Sequence, residues 1–117
     1  MKTVLNISIT SEVLSGSITV QKECDVPFYL RSGDNIIPHP DWSQAEEVIW
    51  SEFDICSQVA EVWLKESNLN SDDDFGEVLW ILNRGFVVTF QGGEFGEHIR
   101  KRLRIVSGIP NSSWQVP

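Results

Sequence analysis

The sequence predicts an α+β domain in which a small antiparallel β-sheet carries one helix, with a second helix possible near the C-terminus. Three observations lead there. Apolar and polar residues alternate with period two through 3–11 and 17–26, the pattern of half-buried strands. Residues 74–84 space Phe75, Val78, Leu79 and Leu82 at helical intervals and end against Gly85. Between these lies 46–64, EEVIWSEFDICSQVAEVWL, the densest apolar stretch, with two of the five tryptophans.

Each element has its own signal. In 3–11, Leu5, Ile7 and Ile9 alternate with Asn6, Ser8 and Thr10. Leu14-Ser15-Gly16 reads as a turn. Residues 17–26 alternate again, with Ile18, Val20, Cys24 and Val26 on one face, which makes an N-terminal hairpin. Lys22 breaks the apolar face, so this strand is expected at a sheet edge. Pro27 ends or kinks it. Ser32-Gly33-Asp34-Asn35 is a turn by composition, followed by a short strand at 35–37. Pro38-His39-Pro40-Asp41 reads as an irregular loop, since each proline lacks a donor and restricts its predecessor.

The central stretch supports two structures. On a helical wheel, Ala45, Ile49, Phe53, Cys56, Ala60 and Trp63 share a face, and Ser43 with Glu46 forms a capping-box pattern. As a hairpin, 47–53 and 59–65 are the arms, and Ala60, Val62 and Leu64 share a face opposite Glu61 and Lys65. Eight of its 19 residues are β-branched or aromatic, which favours strands. The absence of Gly or Asn in 54–58 disfavours the turn.

VPFYLRSGDNI (26–36), EEVIWSEFD (46–54) and AEVWL (60–64) together resemble a loose family of small prokaryotic and phage β-domains. The resemblance rests on Pro27, Phe28, Arg31, Gly33, Asp34 and Ile36 and on the alternating hairpin after them, and it covers about a third of the chain. It implies an SH3-like barrel and no particular activity. On this basis the central stretch is read as a hairpin, giving strands at about 3–11, 17–26, 35–37, 47–53, 59–65 and 86–90.

Residues 67–74, SNLNSDDD, read as a polar linker. Counted from Asn70, a calcium loop needs Gly at its sixth position and Glu at its twelfth, but Phe75 and Ile81 stand there. One of Asp72, Asp73 and Asp74 is instead expected to cap the helix at 74–84, with Arg84 in its last turn. FVVTF (86–90) reads as a buried strand. Gln91–Gly96 is a glycine-rich, mobile connection and not a phosphate loop, because no Gly-Lys-Ser/Thr follows. EHIRKRLRIV (97–106) supports a helix through Ile99, Leu103 and Val106 or a strand through Leu103 and Ile105. Residues 1–106 are expected to form one domain, and 107–117 a loosely held tail in which Trp114 still finds cover.

Composition narrows the function. The chain has 117 residues, 41% of them hydrophobic and 22% charged, ordinary for one globular core. No run reaches the roughly 18 apolar residues of a membrane span, and MKTVLNISITS does not read as a secretory signal. A cytoplasmic protein is therefore expected. Cys24 and Cys56 lack CxxC spacing and are expected as two buried free thiols. No GxSxG, HExxH, Walker loop or GxGxxG is present, and His39 and His98 have no spaced partner. The reading is non-catalytic, with no cofactor and no metal.

Charge is the most informative global feature. Residues 1–40 carry three basic and four acidic groups, 41–78 one basic and eleven acidic, and 79–117 five basic and two acidic. The middle third thus has net charge −10 within a chain of −8. Such a surface repels phosphates and attracts basic proteins. Glu46, Glu47, Trp50, Glu52, Asp54, Glu61 and Trp63 are the expected partner-binding residues, combining carboxylates with aromatic rings. This describes an inhibitor or immunity-type protein that docks on a basic macromolecule. One alternative is a phage or mobile-element assembly module joined by sheet-edge pairing. Another is a nucleic-acid binder using Arg100, Lys101, Arg102 and Arg104, though that cluster is more simply expected to cover the protein's own acidic face.

Overall fold

The structure is a computed structural model, and it describes residues 1–70, 74–105 and 113–116. Among these residues, seven strands and two helices follow in the order β1 (Lys2–Ser11), β2 (Ser17–Asp25), β3 (Asn35–Ile36), β4 (Glu46–Asp54), β5 (Val59–Leu64), β6 (Ser67–Leu69), α1 (Asp74–Leu82), β7 (Val87–Gly92) and α2 (Gly93–Ile105). The strands make one open sheet in the order β3-β4-β5-β1-β2-β7, with β6 also on β1. None of the helices among the described residues is long and apolar enough to cross a membrane.

The sheet is mixed, and this corrects the expected antiparallel sheet or SH3-like barrel. β5 runs parallel to β1, with Lys2 beside Val59 and Asn6 beside Trp63. β6 is also parallel to β1, with Ile9 beside Ser67 and Ser11 beside Leu69. From Asn6 to Ile9, β1 advances three residues while its partner advances four, from Trp63 to Ser67. The segment read as a polar linker therefore resumes pairing with β1 after one extra residue. The alternation of β1 was legible, but which strand it would pair with was not, because parallel partners lie far off in sequence.

The chain divides into two compact units, Met1–Ile7 with Gln21–Lys65 and Ser8–Val20 with Glu66–Pro117. In the first, the Met1 ammonium donates to the Val26 carbonyl at 2.8 Å, and the Val26 N–H donates back at 3.0 Å. This closes the open end of the β1–β2 hairpin. The core is built from Leu5, Leu30, Val48, Ala60, Val62 and Leu64, all buried. The central stretch is a hairpin, as expected on the resemblance, with Asp54 as its hinge. The Asp54 carboxylate accepts the Cys56 N–H at 2.8 Å and the Ser57 N–H at 3.4 Å. The Gln58 N–H meets the Asp54 carbonyl at 2.8 Å, and Gln58 takes a φ of 59°. An aspartate side chain holds the turn where a glycine or asparagine was missed.

In the second unit, Ile9, Ile18, Val20, Leu69, Phe75, Val78, Ile81, Leu82, Phe86, Val88, Phe95 and Ile99 are buried. α1 ends at Leu82, two residues before the expected end, so Arg84 lies beyond it. Its guanidinium still serves the helix terminus, lying 4.2 Å over the Trp80 ring and donating to the Trp80 carbonyl at 3.2 Å. Asp72 and Asp73, two of the three expected caps, lie outside the described residues. α2 begins at Gly93, so the expected mobile glycine loop is in fact a strand end running straight into a helix. Gly16 (φ +97°) and Gly93 (φ +71°) explain the glycines. A Cβ on Gly16 would run into the Gly92 carbonyl oxygen, and one on Gly93 would lie 2.7 Å from the Gly16 Cα. The Phe95 N–H then donates to the Ser15 carbonyl at 2.8 Å. β2 lies between β1 and β7, not at the expected edge, and Lys22 donates to the Pro38 carbonyl at 3.0 Å. Most of the expected tail, including 107–112, lies outside the described residues, but Trp114 bridges Val88 and the Gln115 N–H meets the Val88 carbonyl at 2.8 Å.

Candidate functional site

The hairpin β4–β5 decides where the acidic and aromatic residues point. Val48 pairs with Leu64, but the register then shifts by one, and Trp50 pairs with Trp63, Glu52 with Glu61 and Asp54 with Val59. Ile49 is the extra residue of a β-bulge. Because side chains alternate with period two, that single insertion reverses the parity of everything after it. Without it, Trp50, Glu52 and Asp54 would share the face of buried Val48. With it, they lie on the opposite face beside Val59, Glu61 and Trp63. Ser51 and Phe53 take the core-side face with Val62 and Ala60, where the Phe53 ring meets Tyr29 edge-on at 6.4 Å.

Six of the seven expected partner-binding residues thus share one face. Glu47 belongs to it by alternation from Val48, and its carbonyl accepts the Lys65 N–H at 2.9 Å. Glu46 does not. It falls on the other side, opposite Ile36, and its carboxylate accepts the Trp42 indole N–H at 3.0 Å. Its role is to hold the loop before β4, and it leaves the set.

Two features of the face are electrostatic. Glu52 and Glu61 are direct cross-strand partners of like charge, an arrangement that destabilises a sheet by about 0.2–1 kcal/mol. Glu61 is also held from the neighbouring strand β1, on the same face. Asn6, fully buried on β1, donates to the Glu61 carboxylate at 2.8 Å, and its own carbonyl oxygen accepts from the Gln21 amide at 2.7 Å. The same Asn6 amide reaches the Val62 carbonyl at 3.2 Å. Asn6 was read as a solvated strand position. It is instead buried and hydrogen-bonded on both sides, to Glu61 and Val62 on β5 and to Gln21 on β2, and nothing in its local sequence signals that. Asp54 is kept ionised below the ordinary carboxylate range, first by the Cys56 N–H and then by Ser57.

Outside this face, the thiols are both free but not both buried. Cys24 is half-buried, and partial desolvation pushes its thiol up, while Cys56 is exposed at the hairpin tip. His39 is a half-buried loop residue whose Nδ1 accepts the Asp41 N–H at 3.1 Å. On α2, Arg100 lies 3.9 Å from Glu97 one turn earlier, and the Arg102 guanidinium lies 4.8 Å over the Phe75 ring. Lys101 and Arg104 are exposed. The partners described for Arg100 and Arg102 are thus Glu97 on the same helix and Phe75 on α1. No family model, no curated protein and no solved structure matches this chain.

Proposed function

We propose that this chain is a small acidic, non-catalytic protein-binding module of inhibitor or immunity type, which docks the outer face of β4–β5 on a basic macromolecular partner. One observation carries the reading. The pair Trp50–Trp63 and the pair Glu52–Glu61 stand next to each other on the same face, with Asp54 beyond them. Aromatic rings flanked by carboxylates combine area that gains from desolvation with charge that selects the partner and speeds encounter. The opposed glutamates are a cost to the free protein, and a lysine or arginine set between them removes it. The segment resembling the small prokaryotic and phage SH3-like domains, 26–64, contains this whole hairpin, and we read it as the recognition part of the chain.

The test begins with affinity capture from the source cell, followed by binding kinetics with the purified partner. The association rate is expected to fall as salt rises. Trp50→Ala is expected to weaken the complex by about 2 kcal/mol, the size of a central hot spot. A complex whose association ignores salt, and which tolerates Trp50→Ala combined with Glu52→Lys, overturns the proposal.

A further inference from the structure

The outer edge of β4 is open along half its length. Its first half is covered: Glu46 and Glu47 pair with β3, and Val48 exchanges hydrogen bonds with Gly33 at 2.7 Å and Asp34 at 2.8 Å. The Ser32 hydroxyl then closes the Ile49 carbonyl at 3.1 Å. Beyond the bulge, β4 has β5 on one side and no strand among the described residues on the other. The Asp54 carbonyl points into the hairpin, toward Gln58. Backbone direction alternates along a strand, so the N–H and C=O groups of Ser51 and Phe53 point outward from the sheet. Four large apolar side chains along it are partly to largely exposed, Ile49 at 48%, Trp50 at 50%, Phe53 at 42% and Ile55 at 81%. Outward-pointing backbone groups with no partner among the described residues, beside such side chains, form a template for another strand.

We propose that the partner binds by strand addition, an extended segment of another protein pairing with residues 50–54 of β4 and alternating basic with apolar side chains. The proposal rests on the docking face described above and deepens it. Side chains of an added strand alternate in register with those of β4. On the outer face they meet Trp50, Glu52 and Asp54, which selects lysine or arginine. On the other face they meet Ser51 and Phe53, with Tyr29 against the phenyl ring, which selects apolar residues. A second copy of this chain is the wrong occupant. Two β4 edges centred antiparallel would set Glu52 against Glu52 and Asp54 beside a strand of the same sign, in a protein of net charge −8.

The probe is a seven-residue peptide of alternating lysine and valine, capped at both ends, titrated into the full chain by calorimetry. Its two edges are N-methylated separately, which removes backbone donors and leaves charge and side chains in place. Methylation of the pairing edge is expected to lower affinity about tenfold or more, and methylation of the other edge to leave it unchanged. Ser51→Pro is expected to abolish binding while the hairpin persists, because the lost N–H points away from β5. Equal binding of both methylated peptides overturns strand addition. If the peptide fails to bind while a folded basic partner still binds in a salt-dependent manner, strand addition falls and the docking face stands. If no basic probe binds at all, both fall. Salt-insensitive self-association in analytical ultracentrifugation, lost in Ser51→Pro, also overturns it by making the occupant a second copy.

Discussion

Glu52→Lys separates stability from recognition on this face. In the native hairpin Glu52 stands directly across from Glu61, with β-carbons about 5 Å apart in such pairs. Lysine turns a like-charge pair into an opposite one, and each of those terms is worth about 0.2–1 kcal/mol. Position 52 is exposed, so the lower half of the summed range applies, a gain of about 0.5–1 kcal/mol. The Asn6 amide already fixes the Glu61 carboxylate, so less side-chain entropy is lost when the new pair forms. For a domain of this size that gain raises Tm by about 2–4 °C. Urea unfolding at low salt reads it as a higher midpoint with unchanged slope. In 1 M NaCl the screening length falls to about 3 Å, and most of the gain is expected to vanish. An unchanged or lower midpoint, or a gain undiminished in 1 M NaCl, refutes the register and the electrostatic argument together. The same variant is expected to bind the basic partner more weakly, so stability and binding move in opposite directions.

Three further outcomes are expected. Asp54 has a native pKa below its ordinary value of 3.8, so its turn bonds stabilise the fold above that value and are lost as pH falls through the lower native one; acid unfolding of Asp54→Asn should lack this component, and identical pH profiles would contradict it. Asn6→Ala leaves the Gln21 amide and the Glu61 carboxylate without their shared partner and is expected to cost about 1–3 kcal/mol in urea unfolding; a loss below about 0.5 kcal/mol would mean the network contributes nothing. Gly16→Ala and Gly33→Ala impose the same positive-φ strain of about 1–2 kcal/mol, but only the first drives a Cβ into backbone, at the Gly92 carbonyl; Gly16→Ala should therefore be clearly the more destabilising, and equal losses would argue against the close β1–β2 turn and α2 contact.

Much of the fold was legible because its signals are local. The alternation of Leu5, Ile7 and Ile9 marks β1 without reference to any partner, and the spacing of Phe75, Val78 and Leu82 marks α1. The candidate face was legible as a set of residues but not as a surface. Reading 47–53 as an unbroken strand puts Trp50 and Glu52 with Val48, on the wrong side. The Ile49 bulge reverses this, and no glycine or proline announces it. Asn6 was missed for a related reason: a polar residue in an alternating strand looks solvated until a neighbouring strand covers it.

The sequence by itself determined the number and kind of most elements, the anionic character of the middle third and the pairing of carboxylates with tryptophans along one hairpin. Side-chain periodicity and charge count depend only on neighbours in the chain, so they survive without coordinates. Tertiary structure decided which strands lie parallel to β1, which face receives Trp50, Glu52 and Asp54, and which edge of β4 stays open. The first is a question of pairing between segments more than fifty residues apart; the other two turn on register within the β3–β4–β5 stretch, where a slip of one residue exchanges a buried face for an exposed one.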